Sequence, residues 1–198
     1  IGEELRIVRC RNEDAEAQRV ASEIIDQKLK KGLQFRDFAV LYRGNHQARL
    51  LEMKLQAFQI PYRISGGQSF FAKNEIRDAM AYLRLLINPD DDAAFLRVVN
   101  VPRREIGPRT LEQQSHYSRS RDISMHRAQD EMGVETHVTE KGLDRLRRFR
   151  HWVEATCRRL YEEDPIPVLK QLFTDIEYEE WLHQHASSPK AAERRMEN

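Results

Sequence analysis

Cysteine is nearly missing from this 198-residue chain: Cys10 and Cys157 are the only two, far apart and in no C-x-x-C arrangement. That excludes a zinc ribbon and a disulfide framework, and favours a reducing, cytoplasmic setting. No apolar run approaches the ~20 residues a membrane-spanning helix needs. No basic leader followed by an apolar stretch opens the chain. An excess of charge is missing too, because Lys and Arg total 33 against 32 Asp and Glu, a formal net charge of +1. Aromatic residues make up only 8% of the chain, while 33% is charged and 40% hydrophobic. With a mean hydropathy of -0.74, this is the composition of a soluble, folded, helix-rich protein. The length suits one ordinary domain or two small ones. The chain starts at Ile1 and stops at Asn198 within a helical pattern, so it reads as a piece of something larger.

The usual catalytic signatures are absent as well. There is no G-x-x-x-x-G-K-[ST] phosphate loop, no G-x-S-x-G and no H-E-x-x-H. His183 and His185 are two residues apart, which on a helix points them to different faces and makes a poor metal site. Asp90-Asp91-Asp92 reads as the acidic start of a helix rather than a magnesium site. No catalytic residue and no metal ligand is therefore expected in this chain.

What is present is periodicity. Leu5–Arg9, Phe38–Tyr42 and Pro61–Ile64 read as short strands, the second as a continuous apolar run suited to burial on both faces. Glu13–Lys31, capped by Asn12 and ended at Gly32, and His46–Gln59 carry helical spacing between them. The order predicts a partial parallel three-stranded β-α-β-α-β unit with right-handed crossovers. After Gly66-Gly67 the strand signals stop. Helices are predicted over 74–87, from the Asp90-Asp91-Asp92 cluster to 99, from Pro108 onward, over about 139–161, over 165–176 and 178–185, and after Ser188-Pro189. The expected fold class is α/β plus all-α, and the glycine pair between the halves suits either a hinge or an ordinary tight turn.

The near-neutral total conceals local asymmetry. Arg97 to Arg127 has a balance of +4, Lys141 to Arg159 a balance of +5, and Tyr161 to Glu180 a balance of -6. Such a distribution can present one positive face. It also suits a solvated helix face laced with salt bridges, particularly over 141–159. The stretch Val101-Pro102-Arg103-Arg104-Glu105-Ile106-Gly107-Pro108-Arg109-Thr110 is more specific. It joins two predicted helices and resembles a helix-hairpin-helix loop, whose backbone amides approach a phosphate at a helix N-terminus. Flanking arginines would add contacts that carry no base information. Glu105 stands where the pattern has its first glycine, and a carboxylate pointing inward there would repel a phosphate. A plain interhelical turn is the other reading of the same stretch.

Several strings together resemble a known family. Ala39-Val40-Leu41-Tyr42-Arg43-Gly44-Asn45-His46-Gln47-Ala48-Arg49 is similar to the Tyr-Arg-x-Asn-x-Gln-Ser-Arg motif of superfamily 1A DNA helicases (the UvrD/Rep/PcrA family). Pro61–Gly67, Phe70-Phe71, Glu75–Ala79, Tyr82–Asp92 and the Arg-Glu-Ile-Gly loop resemble its following blocks. The resemblance implies a fragment of an ATP-driven 3′-to-5′ translocase and helicase. Residues 1–65 would be the first part of the RecA-like domain 2A, and 66–198 a C-terminally truncated helical domain 2B, with a swivel at Gly66 and Gly67. It further implies single-strand contacts from Arg43 and Asn45. Duplex contacts would come from Arg103, Arg104, Ile106, Gly107, Arg109 and Thr110. Asn45 also suits a helix cap, and Gln47 and Arg49 suit structural roles. The parent would use ATP and Mg, held outside this fragment, which needs no cofactor of its own and should not hydrolyse ATP alone. Implied partners are single-stranded and duplex DNA, bound without regard to sequence, together with replication or repair proteins and no membrane. The implied setting is bacterial, cytoplasmic and nucleoid-associated. A non-motor DNA-binding module, or a protein-interaction module of a repair factor, is the competing class. Steep salt dependence would separate phosphate binding from apolar docking.

Overall fold

The computed structural model describes residues 4–65 and 69–198, with backbone only for Asn45 and His46. Gly66 and Gly67, the expected hinge, lie outside the described residues. The chain divides into two compact units, Ile1–Lys73 and Asn74–Asn198.

The first unit is built on two helices, α1 (Glu13–Lys31) and α2 (Asn45–Ala57). The Asn12 side chain accepts the Ala15 amide at 2.9 Å to start α1. Gly32, at φ 68°, ends it in the left-handed region that glycine tolerates. Acids in the first turn and lysines in the last complement the helix dipole. Ala21 and Ile24 of α1 meet Leu55 of α2 and Ile60, with Val20, Phe35, Phe38 and Tyr62 packed around them.

The expected three-stranded parallel unit is not there. Among the described residues there is no strand, and 5–9, 38–42 and 61–64 are irregular. A strand exists only through a partner's backbone groups, and no ladder joins these segments among the described residues. Leu5, Ile7 and Leu41 are more than nine-tenths exposed. The short apolar runs suit strands, but an apolar run does not by itself supply a pairing partner.

A buried carboxylate organises the end of this unit instead. Glu52 of α2 is 2% exposed. It accepts the Tyr62 hydroxyl at 2.9 Å, the Phe70 amide at 3.0 Å and the Ser69 hydroxyl. Burial, and with it the Glu52 carboxylate, pushes the Tyr62 phenol up from its ordinary pKa. The Phe70 ring also carries the Arg49 guanidinium at 4.6 Å, a cation–π contact.

The second unit is helical throughout its described length: α3 (Asn74–Ile87), α4 (Asp92–Val98), α5 (Pro108–Ser120), α6 (Met125–Ala128), α7 (Glu140–Glu162), α8 (Pro165–Asp175), α9 (Tyr178–His185) and α10 (Pro189–Met196). The helices expected from 74 onward fall close to these bounds. The core is threaded by α7, whose Leu143, Leu146, Phe149 and Val153 recur at helical spacing and are buried. They pack with Tyr82 and Leu85 of α3, Phe95 and Val98 of α4, Met125 of α6, Leu172 of α8 and Leu182 of α9. Buried Asp78 is held by Arg97 at 2.6 Å and by the Tyr178 hydroxyl at 3.0 Å. Cys157 gives its thiol to the Leu86 carbonyl at 3.2 Å, and burial pushes its pKa up, which disfavours the thiolate form. Among the described residues no helix is long and apolar enough to cross a membrane.

Two outcomes test these assignments. Glu52→Ala leaves three donors without their acceptor and should destabilise the first unit by about 2 kcal/mol. Faster hydrogen exchange at the Phe70 amide would report it. In the second unit, the Ser124 hydroxyl and then Arg127 hold Asp90 below the ordinary carboxylate pKa, and the Ala94 amide does the same to Asp91. Burial, then Arg150, holds His126 below the ordinary histidine value. Each group binds protons more readily unfolded than folded, so acid favours the unfolded state. The melting temperature of this unit should fall as pH drops below about 6.5, and again below about 4. His126→Gln should flatten the first of these steps in a calorimetric pH series.

Candidate nucleic-acid interface

The loop between α4 and α5 is locked from three sides. Asn100 bridges it: its side-chain nitrogen donates to the Ile106 carbonyl at 2.6 Å, and its oxygen accepts the Ile106 amide at 3.2 Å. The second lock is Arg104. Its Nη1 donates to the carbonyls of Val98, Val99 and Pro102 at 3.0, 3.3 and 3.2 Å. Its Nη2 donates to the Tyr82 hydroxyl at 2.9 Å, and that hydroxyl donates onward to the Val101 carbonyl. The guanidinium lies 4.5 Å from the centre of the Phe149 ring and 5.9 Å from that of Trp152. The third lock is Ile106 itself, 2% exposed and part of the core.

These locks determine what faces outward. Gly107 caps α5 with φ -67° and ψ 154°, and Pro108 takes the first helical position. A side chain at Gly107 would meet nothing within 4 Å, so glycine is not required there by space. Arg103 and Arg109 are exposed and have no acidic partner among the described residues, while Thr110 is half-buried. Thr110 packs against Gly142 in the first turn of α7, where an added β-carbon would sit 2.8 Å from its Oγ1 and 2.9 Å from its Cγ2. Exposed Lys141 immediately precedes Gly142 in the chain. Glu105 does not act as the sequence suggested an inward carboxylate would. It is paired with Arg145 of α7, whose Nη1 also donates to the Glu105 carbonyl at 2.6 Å.

The six sequence-predicted duplex residues are thus brought onto one loop in different roles. Arg103 and Arg109 face solvent, Gly107 and Thr110 form the helix start, and Ile106 and Arg104 are turned inward. Asn100 and Arg145 bond to the loop and buried Gly142 packs against Thr110; none of these, nor Lys141, was singled out from sequence. Nothing in their local pattern separates them from other residues, and three of them lie about 40 positions away on α7. Most other cations of α7 are spent on ion pairs: Arg147 with Glu135, Arg148 with Asp144, Arg150 with Asp130 and Glu154, and Arg159 with Glu163.

In the first unit, Arg43 is exposed and immediately precedes the N-terminal turn of α2. The Gln47 side chain accepts the backbone amides of Arg43 and Gly44 at 3.2 and 3.0 Å, so Gln47 fixes the backbone that presents Arg43. Asn45 is the first residue of α2, with Gly44 at the N-cap, and the Asn45 side chain lies outside the described atoms.

The second unit thus presents an interhelical loop locked inward by Asn100, Arg104 and Ile106, with Arg103 and Arg109 facing outward. Residues 1–178 match the family described as UvrD-like helicase C-terminal domain, and the chain belongs to that family. Among individual relatives, the ATP-dependent DNA helicase Rep of Salmonella typhimurium is 47% identical over 197 residues. That alignment covers 100% of this chain and 29% of the relative. Rep of Escherichia coli gives the same identity and coverage. DNA helicase II of Haemophilus influenzae is 43% identical over 154 residues, covering 78% of this chain and 21% of the relative. The chain therefore spans under a third of the length of the relatives it matches.

Gly142→Ala should push α7 off the start of α5 and destabilise the second unit by about 1–3 kcal/mol. Adding Thr110→Ala removes both nearest atoms and should recover most of the loss, a coupling measurable in a double-mutant denaturation cycle.

Proposed function

We propose that this chain is part of an ATP-dependent 3′-to-5′ DNA helicase, supplying DNA contacts but not the ATP site. The observation that carries this reading is 47% identity over the entire chain to Rep. In this reading Arg43 and Asn45 hold the single strand, and Gly66-Gly67 is the swivel between domains 2A and 2B. The duplex ahead of the fork meets Arg103 and Arg109, the backbone at Gly107, and Thr110. An exposed guanidinium binds phosphate through a fork of donors and reads no base, so binding is independent of sequence. The inward packing of Arg104 and Ile106 supports a supporting role for them beneath this surface.

ATP and Mg²⁺ belong elsewhere in the parent protein. The chain has no G-x-x-x-x-G-K-[ST] loop. Among the described residues no three His, Cys, Asp or Glu side chains converge as a metal site. The residues present do not fit the nucleotide, and no step through it is assigned to them. Replication or repair proteins, and a place on the bacterial nucleoid, remain part of the same proposal.

The test is duplex binding by the 198-residue chain, followed by fluorescence anisotropy across a salt series. Binding should be weak, alike for unrelated sequences, and unaccompanied by ATP hydrolysis. Arg103→Ala with Arg109→Ala should weaken it uniformly and flatten the plot of log K against log salt by about 0.9 per lost phosphate contact. An unchanged slope and affinity would remove the loop from the interface. ATP turnover abolished by a substitution within these residues would overturn the assignment of the nucleotide site.

A further inference from the structure

The loop carries an acid where a phosphate-facing surface has least use for one. Glu105 sits at φ 56°, in the left-handed region that residues with a β-carbon rarely occupy. Its carboxylate is held by Arg145, and the same guanidinium holds its carbonyl through Nη1 at 2.6 Å. The two partners are unequally anchored: the Arg145 side chain is 26% exposed and that of Glu105 is 63% exposed. Arg145 projects from α7 one turn beyond Gly142, whose contact with Thr110 fixes that part of α7 against the start of α5. Its guanidinium therefore lies at the loop, on Glu105, which is two residues from Arg103 and four from Arg109 in the chain.

A carboxylate and a phosphodiester oxygen pair are interchangeable ligands for a guanidinium fork. An ion pair this exposed contributes only about 0–1 kcal/mol, so exchanging one anion for the other costs little. Released, the Glu105 carboxylate returns to water with no burial to undo.

The geometry points to Arg145 as a further phosphate-binding residue, held in the free protein by Glu105 as an internal stand-in for a DNA phosphate. Duplex binding exchanges the Glu105 carboxylate for a phosphodiester oxygen at Nη2, while Nη1 keeps the Glu105 carbonyl and so preserves the loop. Glu105 thereby weakens duplex binding without disabling it, a setting suited to a surface that must release DNA repeatedly. This rests on the duplex reading above.

The experiment is a double-mutant cycle on the 198-residue chain, with a short blunt duplex as probe and anisotropy read across a salt series. Glu105→Gln keeps the size of the side chain and removes the charge. It should tighten binding roughly three- to fivefold at low salt and leave the slope of log K against log salt near the wild-type value, because the same phosphate is contacted in both. In the Arg145→Ala background the same change should alter affinity less than about twofold. Arg145→Gln, which retains a donor for the Glu105 carbonyl, takes the place of Arg145→Ala if the latter melts below the assay temperature. No tightening with Arg145 intact overturns the inference. So does tightening that persists in full without the guanidinium, which would make Glu105 a general repulsive charge. If wild type shows no duplex binding, or Arg103→Ala with Arg109→Ala leaves it unchanged, the duplex reading itself falls.

Discussion

The Arg104 guanidinium lies over the rings of Phe149 and Trp152 while donating to the Val98 and Val99 carbonyls at the end of α4, the Pro102 carbonyl of the loop and the Tyr82 hydroxyl. A charge withdrawn from water is tolerable only when its donors are satisfied, and here the satisfying groups belong to α3, α4, the loop and α7 together. That shared requirement ties the loop to the core. With Arg104 inside, Ile106 follows into the core, Gly107 becomes the helix cap, and Arg103 and Arg109 are left outside. The surface is thus a consequence of what the interior demands.

The same selection runs through the rest of the charge. A stretch with a balance of +5 on α7 looks strongly basic in one dimension, yet Arg145, Arg147, Arg148, Arg150 and Arg159 each meet a carboxylate. The exposed pairs among them, such as Arg148 with Asp144, add little stability, but all of them remove cations from the field that an anion would feel. Among the described residues, exposed Lys141 and Arg158 of α7 remain outside such pairs, as do Arg103 of the loop and Arg109 at the start of α5. The unit-charge total of the chain says nothing of this, because pairing is decided by distance in space.

The smaller unit makes a complementary point. Its two helices were readable because caps, dipole-matched charges and apolar spacing are local signals: Asn12, Gly32 and the Ala21–Ile24–Leu55 seam all act within a few residues. The three strands were misread because a ladder is a relation between segments. The apolar runs at 5–8 and 38–42 have the composition of strands, yet Leu5, Ile7 and Leu41 lie open to solvent with no paired backbone among the described residues. In place of a sheet, Glu52 gathers Tyr62, Ser69 and Phe70, a polar arrangement across 10 to 18 residues that no period announces.

By itself the sequence determined the helices from 74 onward other than α6, most of their caps and breaks, and the core face of α7. It also excluded a phosphate loop of the G-x-x-x-x-G-K-[ST] kind and a cysteine-built site. Tertiary structure decided which loop residues face in and which face out, that Glu105 is paired with an arginine 40 residues away, and that Gly142 is the glycine the surface needs while Gly107 has room to spare. The physical reason is range. Capping, periodicity and dihedral preference act over one or two turns and are written in neighbouring letters. Ion pairing, ring stacking and close approach act through space, and only the folded chain brings their partners together.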